Sequence, residues 1–204
     1  MKLLARLKVN PMKQLFYILV FLLPVFGYSQ LNLTQDSPLD YSWKYVGNAG
    51  FSAGVVWYTD LAISSTDGVP YVAYMDMTNS YKATVMKFDG TNWLNVGNAG
   101  FSAGRVGWTS IAINTTGDPY VAFNDVVNDQ KATVMKFNGT DWVIIGNAGF
   151  SAGGVIYTSL AFSPSGIPYV AFDDIANSQK VTVMKFNGTD WVVVGNAGFS
   201  ASYS

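Results

Sequence analysis

Apolar positions in this chain return in the same order three times, at a spacing of 49 or 50 residues. Each unit predicts four short strands separated by turn signals. Strand A covers residues 58–63, 108–113 and 157–162. A tight connection follows: Ser65-Thr66-Asp67-Gly68, Thr115-Thr116-Gly117 or Pro164-Ser165-Gly166. The extra residue of the first unit falls there, where an insertion is tolerated. Strand B covers residues 70–74, 119–123 and 168–172; its proline opens the strand, where no donor is owed to the ladder. Strand C runs over Lys82–Phe88, Lys131–Phe137 and Lys180–Phe186. Asp89-Gly90, Asn138-Gly139 and Asn187-Gly188 then predict a two-residue hairpin turn, because these residues tolerate positive φ. Strand D begins at Trp93, Trp142 and Trp191.

The strands are apolar on both faces. Val72 alternates with Tyr71 and Ala73, and Val85 with Thr84 and Met86. A sheet with one wetted face would alternate cleanly with polar residues. Four doubly buried strands in every period of this length predict blades of a β-propeller. A plain two-layer sandwich is the weaker reading, since it does not require a repeat.

The stretch Trp-x-x-Val-Gly-Asn-Ala-Gly-Phe-Ser-Ala-Gly punctuates the pattern. It starts at Trp43, Trp93, Trp142 and Trp191, with Ile145 for valine in the third copy and Ser202 for the last glycine in the fourth. Three full units result, 55–104, 105–153 and 154–202, preceded by a partial one at 42–54. The second and third agree at 32 of 49 positions, so one backbone is expected for both. The expected architecture is all-β: three complete four-stranded blades and one N-terminal outer strand at Trp43. The repeated glycines predict unusual φ where the chain crosses between blades, and Phe51, Phe101, Phe150 and Phe199 are expected as buried wedges.

The first 29 residues read as a signal peptide. Lys2, Arg6, Lys8 and Lys13 precede an apolar run from Leu15 to Phe26, and Gly27-Tyr28-Ser29 supplies small residues for cleavage before Gln30. Met12 is an alternative start. The run is shorter than the roughly 20 residues of a membrane span, and Pro24 interrupts it. Residues 30–41 form a polar leader, and the expected location is secreted or cell-surface. Beyond residue 29 there are eight basic and 13 acidic side chains, a net charge near −5. No basic stripe remains, which argues against nucleic acid and against anionic lipid.

The unit Gly-x-Pro-Tyr-Val-Ala-Phe-x-Asp, Lys-x-Thr-Val-Met-Lys-Phe-Asn-Gly-Thr-Asp-Trp, Val-Gly-Asn-Ala-Gly-Phe resembles the blade repeat of secreted bacterial β-propeller proteins, and is broadly similar to kelch and sialidase-repeat propellers. The resemblance covers residues 42–204 and concerns architecture. Asp76, Asp125 and Asp174 stand where kelch blades carry a double glycine, and Ser65-Thr66-Asp67-Gly68 does not meet the sialidase Asp-box pattern. No functional residue of either family is carried over.

Meander topology puts the B–C and D–A connections on one rim. That rim collects Asp76 with Asn79, Asp125 with Asn128 and Asp174 with Asn177, beside the Gly-Asn-Ala-Gly-Phe loops, and it is the expected ligand-binding edge. One Asp–Asn pair per blade falls short of the six to eight oxygens of a calcium site, so no metal or other cofactor is expected, and a turn in which Asp caps backbone amides is the competing role. The aromatics Trp57, Trp108 and Tyr157 vary between copies and are candidate sugar-stacking residues, whereas Trp93, Trp142 and Trp191 are expected in the core.

The chain has no Cys, His or Glu, which removes the residues of thiol, triad and most glycosidase chemistry. No catalytic residue and no enzyme activity are expected. Lys87, Lys136 and Lys185 are expected to be paired or snorkelling. The functional expectation is a noncatalytic interaction module for a protein or polysaccharide partner; the alternative is a carbohydrate lectin. Three blades are fewer than the four to eight that close a ring. The sequence is therefore expected to be a fragment of a longer propeller or half of a two-fold assembly, with self-association through open blade edges.

Overall fold

The structure is a computed structural model that describes residues 42–201. The expected signal peptide and polar leader lie outside the described residues. Residues 44–201 belong to one compact unit. Among the described residues no helix is long and apolar enough to cross a membrane.

The described residues are all-β and form three propeller-type blades. The first contains β1 (Val56–Ile63), β2 (Pro70–Asp76), β3 (Lys82–Phe88) and β4 (Trp93–Asn95). The second contains β5 (Val106–Ile113), β6 (Pro119–Asp125), β7 (Lys131–Phe137) and β8 (Trp142–Ile144). The third contains β9 (Val155–Phe162), β10 (Pro168–Asp174), β11 (Lys180–Phe186) and β12 (Trp191–Val193). Each sheet is a four-stranded antiparallel meander in sequence order. The first strands of neighbouring blades lie side by side, β1 next to β5 and β5 next to β9.

Two expectations need correction. No strand forms at Trp43: residues 42–45 are irregular, and Trp43 is fully exposed. Every outer strand seen here pairs only with the third strand of its own blade, and no such partner precedes Trp43 among the described residues. The hairpin turns are also four residues long, since Phe88 faces Trp93 across the ladder. Asp89 Oδ1 accepts from the amides of Thr91 and Asn92, at 2.8 and 2.7 Å, and that side-chain capping sets the longer loop. Asn138 and Asn187 act in the same way.

The core lies between blades. Ala73, Ala83 and Val85 of the first blade meet Val106, Ile111, Val121, Phe123, Met135 and Trp142 of the second. The same set recurs one blade on, with Ala122, Ala132 and Val134 facing Val155, Leu160, Val170, Phe172, Met184 and Trp191. Each blade thus presents alanine and valine at the centre of its trailing face, flanked in the first blade by Tyr71 and Met75, to the large side chains of the next blade's leading face. The burial of one position shows the consequence: Ile111 and Leu160 are 4% and 6% exposed, while the matching Leu61 of the first blade is 58% exposed.

The exit segment after each outer strand fastens one blade to the next. Trp142 Nε1 donates to the Val96 carbonyl at 2.8 Å, and Trp191 Nε1 to the Ile145 carbonyl at 2.9 Å. Phe101 stacks on Trp142 at 4.2 Å and Phe150 on Trp191 at 4.6 Å, nearly parallel in both cases. Gly97 explains the invariance of the motif within this chain. Its φ is +70°, and a Cβ there would lie 2.9 Å from the Phe137 ring and 3.2 Å from Trp142.

Replacing Trp142 by Phe leaves the buried Val96 carbonyl without its donor, at a cost of about 1–3 kcal/mol before any cavity term. The half-buried Trp93 makes the same bond to Val46 with more water access, so Trp93→Phe is expected to cost less. Urea unfolding of the two variants checks the order.

Candidate functional site

The B–C turns and exit segments share one rim, as expected. Gly100 of the exit segment lies so close to Asn79 of the turn that an added Cβ would fall 2.8 Å from the Asn79 Cβ. The Asp residues of the three turns are 2–4% exposed. Asp125 Oδ2 accepts from Asn128 Nδ2 and Thr133 Oγ1, both at 2.9 Å. Thr133 Oγ1 in turn accepts from the Gly149 amide at 2.8 Å, which ties the exit segment to the blade it leaves. Asp76 with Asn79, Thr84 and Gly100 repeats the arrangement, as does Asp174 with Asn177, Thr182 and Gly198. Asp76 Oδ1 also caps the amides of Thr78 and Asn79, and Asp174 Oδ1 that of Ala176. These carboxylates sit on the expected rim and hold its turns from inside.

A second feature of that rim is a row of aromatic rings. The pairing of the first two strands slips by one residue in every blade, so that Tyr58-Thr59 lies opposite Tyr74, Trp108-Thr109 opposite Phe123 and Tyr157-Thr158 opposite Phe172. At each bulge the aromatic residue takes a left-handed backbone, with φ of +53°, +52° and +52°. That conformation costs a bulky residue about 1–3 kcal/mol and persists only where the surroundings impose it. Threonine hydroxyls help to impose it: Thr109 donates to the Tyr58 carbonyl and Thr158 to the Trp108 carbonyl. The rings stand in sequence across the blades, Tyr58 to Trp108 at 4.5 Å and Trp108 to Tyr157 at 4.3 Å, tilted by 46° and 51°.

Two open spaces border the row. A shallow groove of about 260 Å³ runs along Tyr58, Trp108, Tyr157 and the three bulge threonines. A cleft of about 300 Å³ between the first two blades adds Arg105, Asn124 and Gln130 to Tyr58 and Trp108. Arg105 lies 5.1 Å over the Tyr81 ring, which keeps its guanidinium at the cleft edge. Asn124 is buried, donating to the carbonyls of Gln130 and Val155 at 3.0 and 2.6 Å.

The structure brings Trp108 and Tyr157 together but sets Trp57 apart. Trp57 is one residue out of step: it occupies the position of Gly107 and Ile156, and touches the row only edge-on through Tyr58 at 6.5 Å. Tyr58 is the first member of the row, and the alignment of strand A with Trp108 and Tyr157 already carried that signal. Trp93, Trp142 and Trp191 serve packing. On the opposite rim Lys136 pairs with Asp118 at 2.9 Å, which holds the Asp118 carboxyl below its usual range and the Lys136 amine above its own.

No protein-family model matches the chain, and no curated protein sequence does either. Solved structures do match. An α-L-arabinofuranosidase from Fusarium graminearum aligns over 77% of this chain and 53% of its own, with 13% identity and a TM-score of 0.53. An ulvan lyase, a polysaccharide lyase, aligns over 71% and 40%, with 14% identity and a TM-score of 0.51. A fucose lectin from Kordia zhangzhouensis aligns more loosely, over 68% of this chain and 99% of its own, with 14% identity and a TM-score of 0.46. The chain spans about half or less of the two enzymes, and at these identities the likeness establishes the propeller scaffold.

Thr133→Val keeps the shape of the side chain but takes a donor from Asp125 and an acceptor from Gly149. We expect a loss of about 2–3 kcal/mol by denaturant unfolding, without a change in the circular dichroism of the folded state. A second test uses pH. Burial first, and the Asp76 carboxylate second, push the Tyr74 phenol up to about 12. An unfolded tyrosine titrates near pH ~10. The raised folded value therefore supplies stability that is complete below pH ~10 and is lost as pH rises toward about 12, on the order of 2 kcal/mol. Blades two and three carry Phe123 and Phe172 at this position, and a Tyr74→Phe chain is expected to melt with a shallower alkaline decline.

Proposed function

We propose that this chain is an exported, noncatalytic binding module that takes a carbohydrate polymer against the row Tyr58–Trp108–Tyr157. The observation that carries the reading is the repetition, at one bulge in three blades, of a bulky aromatic in a left-handed conformation. Tyr58 packs against the core between the first two blades, but the row runs outward from it to Tyr157, which stands outside both core clusters. The rings border open grooves, and Tyr157 is 61% exposed. A row of tilted rings about 4.4 Å apart offers a continuous apolar ledge to the C–H faces of linked sugars, and Arg105 and Gln130 supply donors for hydroxyls beside it. The engagement of Asp76, Asp125 and Asp174 in internal bonds supports a binding rather than a catalytic role. One of the structural neighbours is a polysaccharide lyase by name and another an arabinofuranosidase, and what they share with this chain is the scaffold.

A protein partner is the second reading. It is favoured by Val126, Val127 and Ile175, which stand 43–59% exposed on the B–C turns of the same rim.

A glycan and polysaccharide array, followed by titration of any hit, separates the two. Carbohydrate binding is expected to weaken about tenfold or more in Trp108→Ala, roughly the 1.4 kcal/mol of one lost stacking contact, and similarly in Tyr157→Ala. Trp57→Ala is expected to bind as the parent does. Binding that survives loss of both Trp108 and Tyr157 would remove the row from the function, and turnover of the polymer by the pure chain would overturn the noncatalytic assignment.

A further inference from the structure

The exit segment occurs four times, yet the described residues contain only three seats for it. A seat is the phenylalanine that ends a third strand together with the tryptophan that opens the fourth. Val96, Gly97 and Phe101 occupy the seat on Phe137 and Trp142; Ile145, Gly146 and Phe150 occupy that on Phe186 and Trp191. The seat on Phe88 and Trp93 is filled by the partial unit. Trp93 Nε1 donates to the Val46 carbonyl at 2.8 Å, Phe51 stacks on Trp93 at 4.3 Å, and a Cβ on Gly47 would lie 2.9 Å from Phe88. The fourth copy, Val194, Gly195 and Phe199, has no seat among the described residues. Nothing lies within 4 Å of a Cβ on Gly195, and Phe199 is 59% exposed.

The two end copies carry complementary halves of the contacts that an internal copy makes. An internal copy is held on its own blade, as by the Phe101 amide to the Ala83 carbonyl at 2.9 Å and the Ala83 amide to Ser102 Oγ at 3.0 Å, and on the next blade through tryptophan. Residues 46–51 make the second kind of contact, and the Trp93 they rest on is only half-buried, against 7–8% exposure for Trp142 and Trp191. Residues 194–200 make the first kind: Phe199 to Val181, Gly198 to Thr182 and Val181 to Ser200, at 3.1, 2.9 and 3.1 Å. The C-terminal copy is therefore already shaped for a seat. The blade faces behind the two segments match in the same way. The third blade leaves the small trailing side chains Ala171, Val181 and Val183 partly open, and the first leaves Leu61 and Ile63 of its leading face 58% exposed.

We propose that two copies of this chain associate head to tail, the exit segment 194–199 of one copy taking the seat on Phe88 and Trp93 of the other in place of residues 46–51. The contact continues the interface already used twice within the chain, and a shaped segment displaces one held on a single side. Exchange of an identical element is a low-cost route to a dimer. Two copies of the described three-blade unit supply six blades, within the range that closes a ring. The association brings Leu61 against Ala171 and Val183 of the second copy, and it extends the aromatic row past Tyr157 to Tyr58 of the second copy. It is independent of what the row binds.

The test uses two glycine substitutions in the chain from residue 30 onward, followed by analytical ultracentrifugation without any glycan. Asparagine tolerates a left-handed backbone. Gly195→Asn meets nothing in the isolated chain but cannot enter the seat, so this variant is expected to stay monomeric with an unchanged circular dichroism spectrum and melting temperature. Gly47→Asn drives a side chain into Phe88 and Trp93, unseats residues 46–51 and leaves the seat open, so dimerisation is expected to tighten about tenfold over the parent. The proposal is overturned if the parent and Gly47→Asn both remain monomers up to about 100 μM, or if Gly195→Asn dimerises as the parent does.

Discussion

Everything in this molecule rests on the junction in which an indole N–H of one blade reaches the backbone carbonyl that leaves the blade before it. A carbonyl in the core between blades has no water to accept from, and the tryptophan supplies its donor while its ring covers the glycine beside it. The junction dictates the repeated residues. Glycine is required because the backbone turns left-handed and has a ring pressed against it, and phenylalanine follows four residues later to stack on the far part of the same indole. The tryptophan, the first glycine and the phenylalanine of the repeat are thus set by contacts between units.

A second network orders the rim. The buried carboxylate of each B–C turn collects an asparagine amide and a threonine hydroxyl, and the threonine passes the chain of bonds on to the exit segment. Full satisfaction matters here, since a buried charge with a missing partner is costly and one with all its partners rigidifies its surroundings. A rim fixed in this way can hold neighbouring residues in conformations they would not choose. The left-handed aromatics of the first strands stand beside that fixed rim, so strain and scaffold are found together at the edge where the open grooves lie.

The internal junctions also give meaning to the two ends of the described unit. Where a blade has neighbours on both sides, its large and small side chains are buried alike. At the first leading face and the last trailing face the same positions are open, with Leu61 and Val183 in the roles that Ile111 and Val134 play inside. One chain therefore presents both halves of an interface whose geometry it displays twice.

The sequence by itself determined the blade. A period near fifty, apolar strands on both faces, proline at the start of the second strand and Asx-Gly after the third were enough for four antiparallel strands per unit, because each signal acts within a few residues of its own position. It also placed the Asp–Asn pairs on the rim with the exit segments, since meander topology leaves no freedom there. Of the phenylalanines expected as buried wedges, Phe101 and Phe150 stack on the next blade, whereas Phe199 is 59% exposed. What lay beyond it depended on contacts between units. The Asp89 loop was read as a two-residue turn because dipeptide preference does not reveal a side chain capping two amides. Trp57 stood out by its variation between copies, although the alignment of strand A pairs Tyr58 with Trp108 and Tyr157. That these three positions share a bulge and a left-handed backbone is visible only in the structure. Trp43 carries the same motif as Trp93 yet forms no strand, because a strand exists only where a partner completes its ladder, and only the tertiary structure decides which copy has one.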